Sequence, residues 1–436
     1  MQNFEINSDR LIRELHHLAQ FTDCPPTQDT ALPTPTQAVT RIVFTPRDLQ
    51  ARAWLKQLAA DAGFGIREDA VGNTFIRWQG SDASLGAVGT GSHTDAIPHA
   101  GMYDGTVGVL GGLEAMRSLK ETGFTPKRSI ELLIFTSEEP TRFGIGCLGS
   151  RLLGGVLDES ADALPDRLPE TDPNALAGLT LAQVREAAGF HGPLSAVKLP
   201  QGYYDAWVEL HIEQGPLLER EKIEIGIVTG IAAPASYRYT VDGFGGHAGA
   251  LLMPDRRDAL CAVAEMILSV ERHARAANAI SGGVDTVATV GMVYVHPGAV
   301  NSVPSRVTFT LDIRDTEVAR RDSVMAAFRK DIAAIEHDRR VSVREELVNA
   351  DAPAKSSERI VSTLETICKS EGVSYRNMVS RAYHDSNFMA LVAPIAMLFI
   401  PCRNGVSHRP DEYSTPESIT QGTRILALTL AALANE

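Results

Sequence analysis

Five places in the sequence put an imidazole or a carboxylate directly after an apolar run or at the mouth of a helix. Ala87-Val-Gly-Thr-Gly-Ser-His93 ends in a histidine, Ile130 to Thr136 leads into Ser137-Glu138-Glu139, Trp207-Val-Glu-Leu-His211 ends in a second histidine, and Met397 to Pro401 precedes Ser407-His408. Asp104, within Gly101-Met-Tyr-Asp-Gly105, stands ahead of a helix expected over 107–119. Each has a plain alternative. A lone histidine is usually packed or solvated, an aspartate at a helix mouth is usually an N-cap, and paired glutamates usually mark a solvated turn. Their convergence outweighs these alternatives, because three imidazoles and two carboxylates at one sheet edge match the mixed nitrogen and oxygen preference of Zn²⁺ or Mn²⁺.

Such residues meet only if a sheet delivers them, since ligands of open α/β sheets bind beyond the carboxyl ends of the strands. Ser129-Ile-Glu-Leu-Leu-Ile-Phe135 and Ala396-Met-Leu-Phe-Ile400 read as strands buried on both faces. Val107, Leu110, Leu113 and Met116 recur at helical spacing, with Gly123 as the stop. Alternation of this kind predicts an α/β fold with a mainly parallel sheet. From 231 to 348 the strands alternate instead: Tyr237, Tyr239 and Val241 oppose Arg238, Thr240 and Asp242, and Phe309, Leu311 and Ile313 oppose Thr310, Asp312 and Arg314. The expected order is strand to 242, helix 254–277, strands 285–295 and 305–315, helix 317–336 and strand 341–348, a ferredoxin-like β-α-β-β-α-β insertion. A catalytic domain over 1–230 and 349–436 would then surround a lid or dimerisation domain over 231–348, with 158–200 a surface excursion.

Composition narrows the function. Among 436 residues, 54 Asp and Glu against 41 Lys and Arg give a net charge of −13, which repels nucleic acid at long range and requires local arginines for any anionic ligand. Five scattered cysteines, none in a Cys-x-x-Cys pair, argue against a disulfide framework. No apolar run is long enough to span a bilayer, and the segment Met1 to Glu5 lacks a basic start followed by an apolar stretch, so a reduced, cytoplasmic setting without membrane partners is expected.

Taken together, His93-Thr-Asp95 with Asp104-Gly105, the Glu138-Glu139 pair, Glu209-Leu-His-Ile-Glu-Gln-Gly-Pro216, Gly245-Gly-His-Ala-Gly249 and Ser407-His-Arg-Pro410 resemble the amidase, hydantoinase and carbamoylase group of binuclear metal amidohydrolases, related to dinuclear aminopeptidases and carboxypeptidases. The resemblance implies one cation on His93, Asp104 and His211, another on Asp104, Glu139 and His408, and Mn²⁺ as the preferred metal. Two such cations acidify a water and polarise the carbonyl it attacks. Glu138 is the implied general base, and Asp95 the residue orienting His93, with a turn-capping role as the alternative. His247 would stabilise the oxyanion in a neighbouring subunit's site, which implies a homodimer. Asn301 and Arg314 would hold a substrate carboxylate, although Arg314 could simply pair with Asp312 on its own strand. Gln214 would contact a ureido group.

Specificity rests on Ala382-Tyr-His-Asp-Ser386, where much of the group has glycine in place of Tyr383. With Glu138 to Gly144, Cys147-Leu-Gly-Ser-Arg151 and Ser407 to Tyr413, this is similar to the branch that cleaves (S)-ureidoglycolate, in which Tyr383 would fill space that a larger substrate needs and His384 would bind the substrate's hydroxyl or carboxylate, with ordinary pocket walls as the alternative for both. Allantoate and N-carbamoyl-L-amino acids are the rival substrates. A non-catalytic binding protein of the same fold is the rival of another class, and the complete ligand set stands against it.

Overall fold

The computed structural model describes residues 4–24, 37–168, 174 and 178–436. The chain forms two compact units, Met1–Thr229 with Lys355–Met378 and His384–Glu436, and Gly230–Ala354 with Val379–Tyr383. Residues 230, 349–354 and 379–383 therefore pack with the second unit, beyond the 231–348 expected for the insertion. Among the described residues no helix is long and apolar enough to cross a membrane.

Four parallel strands form the centre of the first unit, in the order Ile395–Ile400, Tyr204–Ile212, Ala87–His93 and Ile130–Phe135. Ile400 pairs with Ile212 and His93 with Phe135, so all four carboxyl ends reach one edge. The sheet is mixed, which corrects the expectation of a mainly parallel one. Thr74–Trp78 runs antiparallel to Ile130–Phe135, Gly65–Glu68 antiparallel to Thr74–Trp78, and Ile225–Ile231 antiparallel to Ile395–Ile400. For Gly65–Glu68 and Thr74–Trp78 the physical reason is connection length: only the turn 69–73 separates them, and a short turn permits only an antiparallel return. Asp69 closes that turn by accepting the amides of Val71 and Asn73.

Helices Thr106–Glu121 and Pro416–Asn435 pack on each other and on the central strands. A Cβ at Gly108 would meet the carbonyl of Leu210 at 2.4 Å, so the first helix lies directly on the strand that carries His211. Behind the sheet, Leu148–Gly154 packs with Ser386–Met389. Within 158–200 the described residues form short helical turns and the helix Leu181–Ala187, which buries Leu181 and Val184. Residues 169–173 and 175–177 of that excursion lie outside the described residues.

The second unit has an antiparallel sheet in the order Val287–Thr289, Arg306–Asp315, Ala233–Asp242 and Ser342–Ala350, with Val293–His296 also on Arg306–Asp315. Helices Ala259–Ser281 and Val318–Arg339 pack together against it. Tyr239 stacks on Phe309 at 4.8 Å beneath Phe328. The strand expected over 285–295 is split in two, with Gly291 in the gap, as a glycine inside a strand commonly marks.

Candidate metal centre

Asp104 is the hub of the sheet edge. Its Oδ1 lies 3.4 Å from Nε2 of His93 and 3.1 Å from Nε2 of His211. Its Oδ2 lies 3.4 Å from Nε2 of His408, which is 3.3 Å from Oε1 of Glu139. One carboxylate thus turns an oxygen toward each of two nitrogen and oxygen sets. The N-cap alternative does not apply, because Gly105 caps the helix and no side chain bonds to its first amides.

The rings are oriented from behind. Nδ1 of His93 sits 3.0 Å from the carbonyl oxygen of Asp95, and Nδ1 of His211 sits 2.9 Å from that of Ile212. A carbonyl only accepts, so both rings carry a proton on Nδ1 and turn Nε2 to Asp104. The Gly105 amide lies 3.1 Å from the same Nε2 of His211. Burial opposes the charge of Asp104, yet His211, His408 and His93 hold it well below the usual carboxylate range. At His93 burial opposes the imidazolium, and Glu138, Asp104 and Asp95 outweigh it and raise the ring well above its ordinary value. The hydrogen bond to Asp104 takes His408 up to about 9. A cluster that draws protons so strongly is one where a divalent cation competes for the same nitrogens.

Glu138 and Glu139 follow the strand Ile130–Phe135 on a turn in which Ser137 has φ 57°. Oε2 of Glu138 is 3.8 Å from Nε2 of His93, and burial raises the carboxyl. Burial followed by repulsion from Glu138 pushes Glu139 well up. The Asp95 carboxylate stands 3.8 Å from the His93 ring and instead accepts the amides of Glu138 at 3.3 Å and Glu139 at 3.0 Å. Its carbonyl orients the ring and its carboxylate anchors the turn. Gln214, Cys147 and His408 also carry left-handed φ of 54°, 57° and 58°, a concentration of strained backbone of the kind functional sites retain.

Gln214 donates to Oδ2 of Asp104 at 2.5 Å, and its amide oxygen is buried with no partner among the described residues. His384 is buried edge-on against His211, with ring centroids 4.6 Å apart. Glu209, His211 and His384 form a second cluster with metal-ligand spacing, beside His93, Asp104 and His211. Both Glu209 oxygens already accept serine hydroxyls, from Ser92 at 2.7 Å and Ser386 at 2.5 Å, so the Asp104 cluster fits a cation better.

The remaining expected residues belong to the second unit. The short strand Gly246–His247 pairs with Ser302–Val303, and the Ala248 amide donates to the Asn301 carbonyl, so His247 and Asn301 are neighbours. His247 is exposed and its Nδ1 accepts the Gly249 amide, which leaves the proton on Nε2 as a donor. Arg314 pairs with Asp312 at 2.7 Å. Tyr383 donates to Asp351 at 2.7 Å.

Two residues carry no role in the motifs. Cys147 donates its thiol to Oε1 of Glu138 at 3.4 Å. Glu412, fully buried, accepts the amides of Tyr103 and Asp104. Its place inside the segment Ser407 to Tyr413, beside His408, was the only signal in the sequence.

The family model for peptidase family M20/M25/M40 matches residues 89–432. The chain belongs to this family. Its members typically depend on two metal ions, and this chain has candidate ligand groups for them. Over 434 residues it is 48% identical to a ureidoglycolate hydrolase of Oryza sativa subsp. japonica, covering 99% of this chain and 85% of that protein. The crystal structure of AtUAH in complex with (S)-hydroxyglycine superposes with a TM-score of 0.83 at 45% identity, covering 99% of this chain and 98% of that one. A hydantoinase/carbamoylase family amidase from Burkholderia multivorans gives 0.86 at 33% identity, covering 99% of each chain.

Proposed function

We propose that this hydrolase cleaves the ureido C–N bond of (S)-ureidoglycolate. Water adds to the ureido carbonyl and ammonia leaves. The carbamate left behind loses carbon dioxide, and the resulting hydroxyglycine collapses to glyoxylate and a second ammonia. The observation that carries the catalytic reading is the division of Asp104, one oxygen toward His93 and His211 and the other toward His408. Substrate choice is supported by the 48% identical ureidoglycolate hydrolase, which spans nearly the whole chain.

In this reading His93, Asp104 and His211 hold one cation, and Asp104, Glu139 and His408 the other. Mn²⁺ is preferred, and zinc also suits the ligand set. Bound there, the pair supplies an acidified water and a polarised carbonyl. Glu138 takes the proton from the attacking water and returns it to the leaving nitrogen. Gln214, whose amide oxygen has no partner among the described residues, accepts from the ureido nitrogen. Asn301 and Arg314 bind the substrate carboxylate, Arg314 with the guanidinium N–H groups that Asp312 leaves over. Tyr383 limits the space around the hydroxyl-bearing carbon, and His384 binds the substrate's hydroxyl or carboxylate. The working form is a homodimer in which residues 231–348 serve as lid and contact surface, and His247 donates its Nε2 proton to the oxyanion in the partner subunit.

The test is ammonia release by the chelated protein reloaded with Mn²⁺, with (S)-ureidoglycolate, allantoate and N-carbamoyl-L-amino acids side by side. Faster turnover of either rival would overturn the substrate assignment. A protein that stays inactive with every metal would overturn the catalytic reading.

A further inference from the structure

Glu412 lies outside the residues given a part in the proposed reaction, yet it is fully buried and both of its oxygens are occupied at the centre. Oε1 accepts the amides of Tyr103 at 2.9 Å and Asp104 at 3.0 Å. Oε2 accepts the Ser407 hydroxyl at 2.9 Å and the His408 amide at 3.3 Å. Ser407 in turn lies 2.7 Å from Oδ2 of Asp104 across 303 residues of sequence. The loop ahead of Asp104 rests directly on this side chain, since a Cβ at Gly101 would fall 2.4 Å from it.

The two halves of the centre differ in how their ligands are held. His93 and His211 sit on central strands, each ring fixed by a backbone carbonyl. Among the described residues no backbone carbonyl fixes the His408 ring in this way. His408 sits on a loop at φ 58° with a side chain 46% exposed, so little packing sets the position of its ring.

We propose that Glu412 is a positioning residue that clamps the Asp104 and His408 loops together and so sets the occupancy of the His408–Glu139 cation site. The inference rests on the two-cation reading and adds an asymmetry to it. Loss of the clamp weakens the His408 half and leaves the His93–His211 half in place, whereas a general structural role would weaken both alike.

The test compares the full-length chain with Glu412→Gln and Glu412→Ala, using Mn²⁺ alone after chelation. Glutamine keeps an acceptor for the Tyr103 and Asp104 amides and can donate to Ser407, but it leaves the His408 amide unmatched. Metal stoichiometry by mass spectrometry, the electron paramagnetic resonance spectrum and circular dichroism are read together. The wild type is expected to bind two Mn²⁺ that are spin-coupled. Glu412→Gln should keep one at unchanged affinity and bind the second about 10–100-fold more weakly, the usual range for a group behind a ligand. The coupled spectrum then becomes the six-line signal of isolated Mn²⁺, and kcat recovers at high Mn²⁺. Glu412→Ala should weaken the second site further; if it does not fold, Glu412→Gln decides. A folded variant that binds two Mn²⁺ with wild-type affinity, or loses both equally, overturns the inference. A wild type that never binds a second Mn²⁺ overturns the two-cation reading instead.

Discussion

Gly105→Ala separates backbone strain from ligand displacement at a single position. Gly105 has φ 67° and ψ −43°, and the Thr106 amide donates to the Asp104 carbonyl across it at 2.7 Å. That is a γ-turn of the rare, strained hand. An alanine there costs about 1–3 kcal/mol of strain. Its Cβ would also fall 2.6 Å from the ring and the carbonyl oxygen of His93, where ordinary contact begins at 3.4 Å. The ring and the carbonyl of His93 must therefore move away by about 0.8 Å to restore van der Waals distance. The strain and the backbone shift act with or without metal, whereas displacement of the ring is felt by the His93–Asp104–His211 cation. Thermal unfolding in chelator should show a drop of a few degrees. Titration with Mn²⁺ should show the His93 site weakened by about 10–100-fold. A variant that melts earlier but binds both cations as the wild type does would refute the claim that Gly105 holds His93 in place.

Glu138→Gln should lower ammonia release by about 10²–10⁴-fold while leaving two Mn²⁺ bound; undiminished turnover would end its assignment as the base. Chelation should abolish activity and Mn²⁺ restore it, and free Mn²⁺ at a hundred times its dissociation constant should stabilise the fold by about 2.7 kcal/mol per site; activity that survives exhaustive chelation would count against a metal requirement. Burial pushes the Asp69 carboxyl from 3.8 up to about 6. Between those values the folded chain keeps a proton that the unfolded chain has released, so stability falls as pH rises through that window. Urea unfolding of Asp69→Asn should show this slope flattened, and an unchanged profile would sink the assignment.

Much of the site was legible because its residues follow strand ends. His93, Glu139 and His211 stand at or just after apolar runs, and a buried parallel strand announces itself by composition. The insertion was legible for a related reason, since Tyr237, Tyr239 and Val241 alternate with polar neighbours as a half-covered strand requires. Edge strands were harder. Gly65–Glu68 is exposed throughout, and nothing in its composition states whether it runs with or against its neighbour. Asp95 was legible as a residue of the site, but not the division of labour between its carbonyl and its carboxylate. Glu412 stands in a polar segment, where only its place near His408 marks it and nothing local reveals its burial.

The sequence by itself determined which chemistry was on offer, because imidazole, carboxylate and thiol keep their donor and acceptor properties wherever they stand, and because hydrophobic period sets strand or helix locally. Tertiary structure decided which atoms share a site. The two faces of Asp104, the amides gathered by Asp95 and the loops joined by Glu412 are contacts between residues 11 to 309 positions apart. Such contacts follow from strand order and close packing, which no local pattern encodes.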